Sequence, residues 1–179
     1  MIQLAGIMLL IVGFPAWSES TESQGYALVE GQLLVSLSLR NPPTREILER
    51  LREGLKSEIR FDVRVYQKTS GIFGFLGDKL IGECHPAYEA QWDEFSSQFI
   101  VANDDHHLYR CATAPAFAKF FFSLPYYATG VKIPPGHGYY MLTSVEVDAT
   151  KLVPPLNMIS LLVPIDRYTS AWERTRLAF

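Results

Sequence analysis

The sequence predicts a mainly β domain with one or two short helices, an α+β fold whose strands assemble as an antiparallel β-sandwich-like single domain. Two observations carry this. Apolar residues alternate with polar ones in several separate runs, most cleanly where Ile59, Phe61, Val63 and Val65 lie between Glu58, Arg60, Asp62 and Arg64. That period of two belongs to a strand buried on one face and solvated on the other. Helical spacing is confined to two stretches, Thr44–Glu53 and Thr113–Leu124, and turn residues separate most of the rest.

Taken in order, residues 1–18 read as a secretory signal peptide. Met1–Trp17 is almost wholly apolar, Pro15 breaks the run, and Ala16 and Ser18 take the small-residue positions of a cleavage before Glu19. No Lys or Arg precedes the run. An uncleaved N-terminal membrane anchor is the alternative, although seventeen residues interrupted by Gly13 and Pro15 are short for a span. Export would place the protein in the periplasm or another extracytoplasmic space. Residues 19–25 are expected as a polar linker and 26–179 as the single β-rich domain, since 179 residues supply one full core.

Tyr26–Val29 and Gln32–Arg40 read as strands around a Glu30-Gly31 turn, with Leu33, Val35, Leu37 and Leu39 on one face. The first helix has Ile47, Leu48, Leu51 and Leu55 as its apolar stripe, Asn41 or Thr44 as its cap and Gly54 as its stop. Its strand–helix–strand setting leaves a parallel crossover open beside the antiparallel reading. Gln91–Val101 reads as one strand with Phe95, Phe99 and Val101 on one side. Asn103–His107 is then a turn and Leu108–Cys111 a strand. In the second helix Thr113 caps, Pro115 fits the first turn, and Phe117, Phe120, Phe121 and Leu124 form the stripe. Pro125–Gly138 reads as turns, and Tyr139–Asp148 as another alternating strand. A prolyl elbow at Leu152–Leu156, an apolar run at Met158–Val163 and a tail with Trp172 follow.

Several function classes are disfavoured. A net charge of −3 with scattered Lys and Arg offers no footprint for nucleic acid. The glycines of Ser70–Asp78 are followed by Asp78-Lys79 and a strand, not by the Lys, hydroxyl and helix of a phosphate cradle. That loop has an apolar tip instead, and Phe73 and Phe75 are the candidates for contact with a partner. Cys84 and Cys111 either pair across neighbouring strands or pack as buried thiols. Asp104, Asp105, His106 and His107 carry suitable metal ligands, but adjacent histidines on extended chain face opposite ways and no zinc-type spacing occurs, so they are weak candidates. No catalytic residue and no cofactor is assigned.

The order of features resembles the exported bacterial proteins grouped as domain of unknown function 4390. The resemblance rests on Gly31–Ser36, on Glu53-Gly54-Leu55 leading into Ile59–Val63, on Trp92–Phe99, on Val145–Asp148 followed by Leu152–Leu156, and on Trp172. It implies a periplasmic β-rich domain behind a signal peptide and brings no catalytic residues. The sequence thus favours a non-catalytic domain binding a protein or envelope component. A periplasmic hydrolase is one alternative, its acids, such as Glu94 with Asp104 or Asp105, meeting only in the fold. A small outer-membrane barrel is the other.

Overall fold

The long strand at Lys56–Gln67 organises the molecule, in a computed structural model that describes residues 21–69, 71, 77–136, 138–151 and 167–178. The export segment, Phe73, Phe75, His137 and Met158–Val163 lie outside the described residues. In chain order the strands are β1 (Thr21–Val29), β2 (Gln32–Leu39), β3 (Lys56–Gln67), β4 (Lys79–Cys84), β5 (Ala87–Asp93), β6 (Gln98–Asn103), β7 (Leu108–Cys111), β8 (Ser123–Lys132), β9 (Tyr139–Lys151), β10 (Arg167–Thr169) and β11 (Glu173–Arg176). Helix α1 (Thr44–Arg52) lies between β2 and β3, and α2 (Ala114–Phe121) between β7 and β8.

Among the described residues the strands form two sheets, and every ladder is antiparallel. One sheet runs β1-β2-β8; the other runs β10-β9-β3-β5-β6-β7, with β11 on β9 and β4 on β3. Because β2 and β3 fall in different sheets, α1 is a bridge between layers and the parallel crossover does not form. The core lies between the layers. Leu33, Val35 and Leu37 of β2 face Ile59, Phe61, Val63 and Val65 of β3 with Met141, Val145 and Val147 of β9, all fully or almost fully buried. The helices close this space, α1 with Ile47 and Leu51 and α2 with Phe117 and Phe121. Where β4 passes β8 the approach is close: a Cβ on Gly82 would stand 2.9 Å from a methyl of Val131.

The outward side of the large sheet is charged. Glu58, Arg60, Asp62 and Arg64 of β3 lie beside Glu146 and Asp148 of β9. A lipid-facing strand needs an apolar band, whereas this face carries charges among the described residues.

Other expectations change for local reasons. β1 begins at Thr21, so residues 21–25, expected as linker, are paired with β2 across a bulge. α1 starts without a side-chain cap: Pro43 stands at the cap and Thr44 Oγ1 donates back to the Pro42 carbonyl. Gly54, at φ +82, ends the helix as expected. Thr113 does cap α2, accepting from the Ala116 N–H at 3.3 Å, but that helix ends at Phe121. Gln91–Val101 is a hairpin instead of one strand, and Phe95 at its tip is fully exposed. Pro125–Gly138, expected as turns, contains most of β8. Proline is tolerated because β8 borders its sheet, and bulges with positive φ at Tyr126 and Gly130 absorb the extra residues. Cys84 and Cys111 are free thiols on β4 and β7, which are not neighbours, so the expected cross-strand route to pairing is closed.

Replacing Phe61 with Ala should destabilise the protein by about 3–5 kcal/mol, because its ring fills the space between layers. Arg60→Ser, on the exposed side of the same strand, should cost less than about 1 kcal/mol. Urea denaturation of the two variants checks the assignment of faces.

Candidate functional site

The turn between β6 and β7 is built by Asn103. Its carbonyl accepts from the His106 N–H at 2.9 Å and its side-chain oxygen from the His107 N–H at 2.8 Å. His106 adopts φ +61 to complete the turn. Asp104 Oδ2 accepts from the Ala87 N–H at 2.8 Å, which fastens the turn to the start of β5. Asp104 and His106 thereby reach a surface groove of about 660 Å³, shared with Glu58, Arg60, His85, Ala87, Glu89, Ala102 and Asn103. The small side chains of Ala87 and Ala102 leave the depression between larger charged neighbours.

Register explains its electrostatics. Glu58 lies opposite Glu89 on one side and Asp148 on the other, a row of like charges that would repel across the strands. Each carboxylate has a cation: Lys56 at 2.6 Å from Glu89, Arg60 at 2.7 Å from Glu58 and Arg167 at 2.7 Å from Asp148. His85 Nδ1 lies 2.5 Å from Asp62. Cys84, next in sequence, turns to the opposite side of the chain. There burial, reinforced by the Asp62 charge, pushes its thiol up to about 11. A thiolate–imidazole nucleophile is therefore not assembled, since such a thiol needs its pKa lowered.

The four metal-ligand candidates do not converge. Asp104 is engaged by Ala87, Asp105 accepts from the Asn103 amide at 3.5 Å, and His106 and His107 are exposed. Among the described residues no group of three or more His, Cys, Asp or Glu is placed to hold a metal ion. The acids named for a hydrolase separate too. Glu94 lies in the β5–β6 turn and Asp104 and Asp105 beyond the far end of β6, roughly 20 Å away at strand rise, whereas paired glycosidase carboxylates lie about 5–10 Å apart.

Around the sheet edge from the groove lies an aromatic cluster. Tyr109 and Phe120 have ring centroids 4.4 Å apart, Tyr88 stacks on Phe120 at 5.6 Å, and Phe61 meets Tyr88 edge-on at 6.0 Å. Burial, then the neighbouring Tyr109, Tyr127 and Asp104, push the Tyr88 hydroxyl up to about 12. The Tyr127 hydroxyl is raised by burial, then by Cys84, Asp104 and Asp105. Tyr126 is 69% exposed and Leu108 62%, with Tyr109 and Tyr127 less so. The sequence reading passed over these rings. A signal existed in Tyr126-Tyr127, because two consecutive aromatics on extended chain cannot both face one core. Phe73 and Phe75 lie outside the described residues.

Compared with known families, curated proteins and solved structures, the chain matches none of them. Its function is therefore argued from the surface itself.

The raised Cys84 thiol has a pH signature. Its folded value stands above the ordinary 9.0, so the folded state holds the proton more tightly and the contribution is complete below pH 9. Stability should fall as pH rises from 9 through 11, by an amount that solvent screening of this half-buried group keeps small. Denaturation of native and Cys84→Ala protein across that range isolates the effect as the difference between the two curves.

Proposed function

We propose that this chain is a non-catalytic binding domain working outside the cytoplasm, and that it engages a protein of the cell envelope. The observation that carries the reading is the aromatic cluster of Tyr88, Tyr109 and Phe120, with Leu108 on β7 and Tyr126 and Tyr127 on β8 also exposed, and with Asp104 and Asp105 in the turn that is fastened to Ala87 beside Tyr88. Exposed apolar residues are ordinary singly, but a cluster of tyrosines is the composition of an interface: each ring supplies contact area and a hydroxyl that can pair. The acids favour a partner carrying Lys or Arg at the rim of the contact. Contact through side chains suits the geometry better than strand addition, because β8 is bulged and β7 has four residues. The groove on the other side of Asp104, with its exposed ion pairs, extends the surface with polar partners. Export and a periplasmic address rest on the N-terminal sequence and on the resemblance to the proteins of domain of unknown function 4390.

Immobilised protein should capture an envelope protein from a detergent extract. The double variant Tyr126→Ser, Tyr127→Ser should capture it about ten-fold less, with an unchanged melting temperature, and added salt should weaken capture by the native protein. Equal capture by native and double-variant protein would overturn the assignment. So would an equal loss from Arg45→Ser on the exposed side of α1.

A further inference from the structure

A second site lies on the charged side of the large sheet, at its other end. Lys68, Gly138, Tyr139, Tyr140, Arg174 and Arg176 line a pocket of about 270 Å³. Between Arg60, at the groove, and Lys68 the chain advances roughly 25 Å at strand rise, so the two sites are separate.

Each lining residue has a structural reason for its place. Lys68 follows β3, and its N–H donates to the Gly138 carbonyl at 2.9 Å. Gly138 adds no side chain to the space between them. Arg174 and Arg176 alternate on β11, paired in register with Leu142 and Tyr140 of β9, so both share the outward side. Tyr26 anchors this end of β11: its hydroxyl donates to the Arg176 carbonyl at 3.3 Å and accepts from the Ala178 N–H at 2.9 Å. Tyr140 stacks on Tyr66 at 5.4 Å and carries the Arg174 guanidinium 3.7 Å from its ring centroid.

Three cations thus converge in a chain whose net charge is −3. The acid beside them, Asp78, accepts the Tyr140 hydroxyl at 2.8 Å and stands 3.9 Å from Arg174. Lys68 and Arg176 make no ion pair among the described residues. Tyr139, the residue before Tyr140, also borders the pocket, while its side chain is 2% exposed and belongs to the core.

We infer that the Lys68–Arg174–Arg176 pocket binds a phosphate group, free or as the end of a small phosphomonoester or lipid headgroup. Two arginines present planar forks of donors that match phosphate oxygens, and a lysine adds a point charge. Three cations against one carboxylate leave an excess that a dianion matches better than a single carboxylate does. The pocket holds such a group with a few attached atoms.

Calorimetric titration of the full chain with inorganic phosphate and with glycerol 3-phosphate, beside co-sedimentation with vesicles of phosphatidylcholine alone or with phosphatidic acid, tests this. Binding to either soluble compound, weakened about ten-fold or more by Arg176→Gln or Lys68→Gln, supports a soluble source. Binding only to the phosphatidic acid vesicles, with the same loss in the variants, supports a headgroup. Arg45→Gln, which removes the same charge from α1, should bind like the native protein. Failure of every probe overturns the inference, as does an equal response from native, Arg176→Gln and Arg45→Gln proteins. Envelope-protein capture does not enter this test, so either proposal can fail alone.

Discussion

The structure depends on one strand having two different faces. β3 pairs with β9 from Lys56 opposite Lys151 to Gln67 opposite Tyr139, and with β4 and β5 on its other edge. Its inward side supplies Ile59, Phe61, Val63 and Val65 to the core, and its outward side supplies Glu58, Arg60, Asp62 and Arg64 to the charged surface. A slip of one residue would exchange the two sets, burying charges and exposing aliphatic side chains, so the register is held by the difference between them. The exposed ion pairs add little stability individually. Their contribution is to accompany the carboxylates of Glu58, Glu89 and Asp148, which this register sets side by side.

Both proposed surfaces follow from how that strand is flanked. On one edge β3 has two successive partners, and the chain passes from β4 to β5 through His85 and Pro86, with the Phe61 N–H donating to the Pro86 carbonyl at 2.9 Å. This crossing puts His85 over Asp62 and opens the groove beside Ala87. The aromatic cluster forms where β5, β7, α2 and β8 meet at the limit of the two sheets, with Phe120 as the ring common to Tyr88 and Tyr109. Past the other end of β3, the space left by Gly138 lies among Lys68 and the β11 arginines. The scaffold is packed and apolar, whereas the chemistry capable of recognition lies at its turns and borders.

Local patterning made the scaffold legible in the sequence. The alternation in β3, the stripe Leu33, Val35, Leu37 and the spacing of Ile47 and Leu51 each lie within one element, and each faces the core as its period requires. β8 was hidden because Pro125 and Gly130 read as turn residues; only its place at the border of a sheet makes them acceptable, and that place depends on long-range pairing. The β5–β6 hairpin was hidden for the opposite reason. Phe95 continued the apolar pattern although it stands at the exposed tip. Of the site, Asp104 and His106 could be read as a polar turn, but not their union with His85, which requires the β5–β6 ladder and the bond from Ala87. The phosphate pocket had no local signature, since its cations come from segments more than a hundred residues apart.

Native-state amide exchange tests most directly the claim that β3 and β9 hold the molecule together. The amides of Ile59–Val65 and Met141–Val147 should exchange only through global unfolding and be the slowest in the protein, with those of β1 and β8 opening at lower free energy. Exchange from the centre of β3 as fast as from β8 would contradict the account, because the strand that sets the register would then open without the rest of the fold.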